Sequence, residues 1–396
     1  TTLVFNHAND YAGGTIIYQG TVLAAHPEAL GTGPITVGNW TATDTMLAVS
    51  GDITLTNAIV LSGKTGALVP SPVGVNNVFD PTTYQAGTNT LSGPITLAGA
   101  TCWAVGSDAG LLIVNGGLVN NQNGPLCQFF LRGSAEGVWN SALKDASTAN
   151  RLMLEKTDAG TWTVASTNTF TGRTLVSDGK LILTGALNGS SNVVVKSGAT
   201  LAGTGWITGA VTNSGTIDLS DDDVLRPLTV NGVYLMDYLA TVKLSVGPEG
   251  NDSIGGMTLC VLDGILEVVL EGPLTGNAVF KLFDAAAYDG AFAGYDLPDI
   301  SPLSWDTSSL AVDGTLRVTG GAPVVPEISH VSYTEAGGLV LSGSGPLVGN
   351  FIVLASDDVT APLADWTEVG QGTFSNGTFT FTDPTATNAP QRFYRV

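Results

Sequence analysis

Basic residues are what this chain has least of. Its 396 residues hold 14 Lys and Arg against 34 Asp and Glu, a formal charge of -20, and between Thr1 and Leu131 the only Lys or Arg is Lys64. A surface of that sign cannot neutralise phosphates, which excludes nucleic acid and anionic membrane surfaces as partners. Charged residues of both signs come to only 12%, too few for the polar faces of long amphipathic helices. No stretch of 18 apolar residues occurs, so no helix is expected to span a membrane. The sequence also opens without Met and without a charged-plus-apolar leader. That is the pattern a removed signal peptide leaves, and it leads us to expect an extracellular or cell-surface protein. The three cysteines, Cys102, Cys127 and Cys260, are an odd and sparse set. Two readings stand: Cys102 pairs with Cys127 across adjacent coils in an oxidising compartment, or all three serve as small buried hydrophobes.

Glycine, by contrast, is abundant at 51 residues, and hydrophobic residues reach 43%, a composition suited to many short strands separated by tight turns. A repeat organises them. Thr1 to Ala24 reappears as Gly160 to Leu183: Asn9-Asp10-Tyr11-Ala12-Gly13-Gly14-Thr15 aligns with Asn168-Thr169-Phe170-Thr171-Gly172-Arg173-Thr174, and Gly20 with Gly179. A strand-turn unit of this size cannot bury its apolar face alone, so it must stack on neighbours. The expected fold is all-β: a right-handed β-solenoid over residues 1–220, a β-rich continuation or cap over 221–320, a linker over 321–327, and a small β-sandwich over 328–396. One stretch, Phe129 to Leu154, breaks the pattern with Arg132, Glu136, Lys144, Asp145 and Arg151, and reads as a longer loop or short helix leaving the stack.

The segment Thr161 to Ala186, with Thr-Asn-Thr-Phe-Thr-Gly followed by Gly-Lys-Leu-Ile-Leu, resembles the autotransporter-associated β-strand repeat of secreted bacterial passenger proteins. Ala29-Leu30-Gly31-Thr32-Gly33-Pro34-Ile35-Thr36-Val37 is similar to the segment that often follows such a repeat. Pro227 to Gly320, and the close from Trp366-Thr367 to Gln391-Arg392-Phe393-Tyr394-Arg395-Val396, resemble regions that accompany these repeats in large exported proteins. The resemblance implies a β-helical passenger. The membrane barrel of amphipathic ten-residue strands that ends a true autotransporter has no counterpart in this sequence.

Candidate chemistry is thin. Asp221-Asp222-Asp223 reads as a solvated turn or a weak Ca²⁺ site; consecutive residues on a strand point apart, and the spacing matches no EF-hand loop. No other cofactor is expected. His7, Asp10 and His26 are candidates for acid-base or metal work, but His7 aligns with Ser166 and so reads as a turn residue. Trp162 aligns with Leu3 on an inward position, while Trp40, Trp139 and Trp206 are candidate carbohydrate contacts. No Gly-x-Ser-x-Gly elbow, His-Glu-x-x-His helix or phosphate loop occurs, and we expect no enzyme.

Residue 1 opens directly in a repeat strand, and an uncapped solenoid end is a template for another chain. The leading expectation is an extracellular structural protein that polymerises head to tail. Identical subunits would meet through Thr1, Thr2, Leu3, Val4 and Phe5 at one end and Phe393, Tyr394, Arg395 and Val396 at the other. The alternative is a monomeric adhesin or spacer whose partner is an extracellular polysaccharide, held by loops such as Phe129 to Leu154.

Overall fold

The computed structural model describes residues 2–38, 45–62, the backbone of 73–77, 87–99, 102–221, 225, 227–320, 325–334, 338–346, 349–375, 377–386 and 391–396. The chain forms two compact units. One is Thr1–Pro273 with Val279–Asp299 and Asp306–Arg317; the other is Leu274–Ala278 with Ile300–Trp305 and Val318–Val396.

The first unit is a parallel β-solenoid of roughly ten turns. Strands succeed one another around three faces, and each pairs in parallel with the strand one coil on. Two faces are continuous ladders of 13 and 12 strands, and both run through residue 220 without a break. Period-two alternation turns every second side chain inward, where equivalent positions of successive coils form columns. Leu112, Gly137, Trp162, Leu181, Leu201, Ile217 and Val242 make one such column. Each fully buried Val, Leu or Ile contributes roughly 1.5 to 3 kcal/mol, and the ladder multiplies that gain coil by coil. Gly137 is what admits the Trp162 ring, because a Cβ there would lie 2.5 Å from it. The indole is fully buried and donates to Arg132 O at 2.7 Å.

The third face is split into a five-stranded and a six-stranded sheet. The first ends at Leu118–Gln122, the second begins at Thr167–Asn168, and residues 140–150 between them hold no strand. The expected excursion is thus narrowed to that strandless stretch, and the ends of Phe129 to Leu154 lie in the ladder strands Leu126–Arg132, Glu136–Trp139 and Arg151–Lys156. Its charged residues take half-buried or exposed outward positions while Leu131, Trp139, Leu152 and Leu154 point in. The corner itself is tied down: Asp145 accepts from Leu152 N–H at 2.7 Å and from Thr171 N–H and hydroxyl at 3.0 and 2.7 Å.

The last coil carries Phe283–Ala285, Tyr288–Gly290 and Gly294–Asp296. A four-residue helix, Leu310–Asp313, follows in this unit; Leu310 and Leu316 are buried, and Leu282 and Phe283 N–H both donate to Gly314 O.

In the second unit, Glu327–Tyr333, Leu339–Ser344 and Thr378–Asp383 form one antiparallel sheet, and Thr367–Thr373, Asn350–Ser356 and Phe393–Arg395 another. Leu339, Leu341, Phe351, Val353, Phe374 and Phe379 make their shared core. Of the expected linker, residues 321–324 lie outside the described residues, and Glu327 already opens a strand.

All three cysteines are buried and none is in a disulfide, which fits the second of the two readings. The Cys102–Cys127 pairing does not form because Cys102 stands opposite Gln128, and alternation sends the adjacent Cys127 to the other side of the sheet. Burial pushes the Cys127 thiol up to about 11 and Cys260 up to about 12. A thiol reagent at pH 8 is therefore expected to leave the native protein unlabelled and to modify three groups in denaturant. Fast native labelling of Cys127 or Cys260 would contradict this packing.

Candidate functional site

The two copies of the repeat occupy the same local geometry in different surroundings. Leu3 stands opposite Val22 just as Trp162 stands opposite Leu181, although Thr2–Phe5 belongs to the 13-stranded sheet and Thr161–Val164 to the 12-stranded one. The repeat thus encodes a coil and its corners, not a particular face. Gly20 and Gly179 both take positive φ, 83° and 61°, at the same corner.

In the second copy a preceding coil covers the inward side chains. Trp162, Val164 and Phe170 are 0% exposed. Asn168 Oδ1 accepts from Leu143 N–H of that preceding coil at 2.8 Å, while Nδ2 donates to Ser166 O and Ala186 O at 2.7 and 3.1 Å. Gly172 is pressed against the same coil, for a Cβ there would fall 2.1 Å from Leu152 O.

The first copy has the same equipment in a more exposed coil. Asn9 Nδ2 donates to His7 O and Ala29 O, as its counterpart does, yet no N–H among the described residues reaches Asn9 Oδ1. Nothing lies within 4 Å of where a Cβ on Gly13 would be. Leu3 is 57% exposed where Trp162 is buried, and Ile16 and Tyr18 add 56% and 60%. Of the expected contact residues, Thr2, Leu3 and Val4 are exposed and Phe5 half-buried; Thr1 lies outside the described residues.

The other expected contact, Phe393–Arg395, is an edge strand paired on one side with Asn350–Ser356. Tyr394 and Val396 pack on the unit's core, and Arg395 is exposed. Asp221 pairs with Lys180; Asp222 and Asp223 lie outside the described residues, so the Ca²⁺ reading gains no assembled site. Among the described residues no three His, Cys, Asp or Glu side chains gather as metal ligands. His7 Nδ1 meets Asn6 Oδ1 at 2.7 Å, His26 Nδ1 accepts from Glu28 N–H, and Asp10 is exposed; all three lie between strands. Trp139 is buried and Trp40 lies outside the described residues. Trp206 is 46% exposed, between Ala186 and Thr229 in its ladder.

Two polar clusters were not singled out in the sequence. Lys156 belongs to the inward column Val105, Leu131, Lys156, Val176, Val195 and is 0% exposed. Its ammonium donates to Thr157 O, Asp158 O and Asp178 O at 2.7, 2.6 and 3.1 Å, stapling the corners of two successive coils. Burial pushes it down, to about 8, against the opposing pull of Asp158 and Asp178. In the second unit Asp383, 1% exposed, accepts from Thr385 N–H and hydroxyl at 2.8 and 2.7 Å and from Tyr394 hydroxyl at 2.9 Å, with Arg392 Nη1 at 3.1 Å. Burial alone would raise Asp383, but these donors hold it below the usual carboxylate range.

Residues 1–24 and 154–183 match the model of the Passenger-associated-transport-repeat family. No curated protein and no solved structure matches the chain. No helix among the described residues is long and apolar enough to cross a membrane. The two repeat matches and the β-solenoid fit an autotransporter passenger-type β-helix, which points to a secreted or cell-surface protein.

Proposed function

We propose that this chain is a non-enzymatic structural passenger that assembles head to tail, its first coil receiving a β edge of another copy. The observations that support this reading are the exposed apolar side chains Leu3, Ile16 and Tyr18 of the first repeat and the edge strand Phe393–Arg395. A coil with exposed apolar side chains gains buried area from a further strand. The edge strand Phe393–Arg395 is the segment offered by the neighbour, which makes the contact heterologous and the assembly open-ended.

Sedimentation velocity with negative-stain electron microscopy tests this. The full chain is expected to form concentration-dependent polymers, and the double variant Leu3→Lys, Ile16→Lys to remain monomeric with an unchanged circular dichroism spectrum. A full chain that stays monomeric at about 200 µM, well above the micromolar range of ordinary specific association, would overturn the proposal. The adhesin reading keeps a shorter loop, residues 140–150, and the exposed Trp206.

A further inference from the structure

The second unit holds a cavity of about 420 Å³ lined by Ser356, Asp357, Asp365, Thr367, Thr385 and Arg392. That size falls within the range of small-molecule sites, roughly 300 to 1,000 Å³. Its donor is unusually well fixed. Arg392 spends a single nitrogen on the protein: Nη1 meets Asp383 Oδ2 at 3.1 Å, Thr385 O at 3.2 Å and Thr385 Oγ1 at 3.0 Å. Asp383, buried and itself held by Thr385 and Tyr394, anchors the guanidinium from behind. Among the described residues nothing takes the Nε and Nη2 N–H groups, and these two form the side-on fork that grips a pair of oxygens. A planar donor held in place by a buried carboxylate loses little freedom on binding.

The rest of the lining selects the ligand. Asp357 and Asp365 bring carboxylates that make no hydrogen bond or ion pair among the described residues, so the cavity offers acceptors as well as the fork. An anion seated on Arg392 would face those two carboxylates and a chain of net charge -20. A simple cation would face the guanidinium. A neutral polyol satisfies both, since each hydroxyl accepts from the fork and donates to a carboxylate. We propose that this cavity binds a neutral oligosaccharide, with Arg392 gripping vicinal hydroxyl oxygens and Asp357 and Asp365 accepting from neighbouring hydroxyls.

The test is isothermal titration of the full chain with cellotetraose, xylotetraose and mannotetraose, with free lysine as a competitor bearing charges of both signs. Saturable binding of at least one tetrasaccharide is expected, with a Kd of about 1 mM. Arg392→Lys keeps the charge but loses the fork and should weaken binding about tenfold. Asp365→Asn, at an exposed position that breaks no described contact, should weaken it several-fold without moving the melting temperature. If Arg392→Lys unfolds the unit, Asp365→Asn decides. The proposal fails if none of the three sugars binds up to about 20 mM, if binding survives both substitutions, or if lysine binds in place of the sugars.

Discussion

Replacing Asn168 with leucine is expected to destabilise the solenoid by about 3 kcal/mol or more, whereas Asn9→Leu should cost less than half as much. Leucine has nearly the same size, so the effect isolates hydrogen bonding. At position 168 it orphans Leu143 N–H, Ser166 O and Ala186 O around a side chain that is 0% exposed. Each buried group left unpaired costs about 1 to 3 kcal/mol. Asn9 has only its two donated bonds to lose, both at a half-exposed coil where water replaces them. Urea unfolding followed by far-ultraviolet circular dichroism reads the difference, and hydrogen exchange at the Leu143 amide reads its cause. Equal losses at the two sites would mean that the preceding coil contributes nothing to the motif. Conversely, in a polymeric sample the Asn9 variant should become costly.

The second large effect is a pH dependence carried by Lys156. In the native protein burial brings its ammonium to about 8, against roughly 10.4 for an unfolded lysine. Below pH 8 both states hold the proton and stability has no slope from this group. Between about 8 and 10.4 the unfolded state binds more protons than the native one, so stability rises with pH. The gain across that window is on the order of 3 kcal/mol, at 1.36 kcal/mol per pK unit. Cys127, Cys260 and Tyr234 oppose it, because burial raises all three and their contribution falls as pH climbs. The comparison that separates them is wild type against Lys156→Met, in which the opposing groups are common to both. Wild type should gain on the variant from pH 8 to pH 10. Parallel stability curves over that range would show that Lys156 is not buried as described.

Much of this fold is legible in the sequence because its corners are chemically demanding. Gly20 and Gly179 sit where φ is positive, and Asn9 and Asn168 donate across corners in the same way. Such positions recur as letters, and a repeat is read from them. What misled was charge. Arg132, Glu136 and Arg151 suggest a departure from the stack, yet they alternate with Leu131, Gly137 and Leu152 as strand residues with one outward face. The same alternation could have exposed Lys156: after Leu152 and Leu154, position 156 is the next inward one, and only the habit of placing lysine on surfaces hides it. The Arg392 cluster had a fainter signal, an Asp383-Pro384-Thr385 turn in which the carboxylate binds the backbone and hydroxyl two residues on. Its arginine comes from seven residues farther along, and only the folded sheets join them.

The central claim is that copies of this chain meet through the first coil. Hydrogen exchange of the Thr2–Phe5 and Thr15–Ile17 amides, measured on the full chain at about 1 µM and about 200 µM, tests it most directly. Protection that rises with concentration in these strands, and not in the buried ladder around Trp162, is the predicted result. Exchange that is equally fast at both concentrations would contradict it.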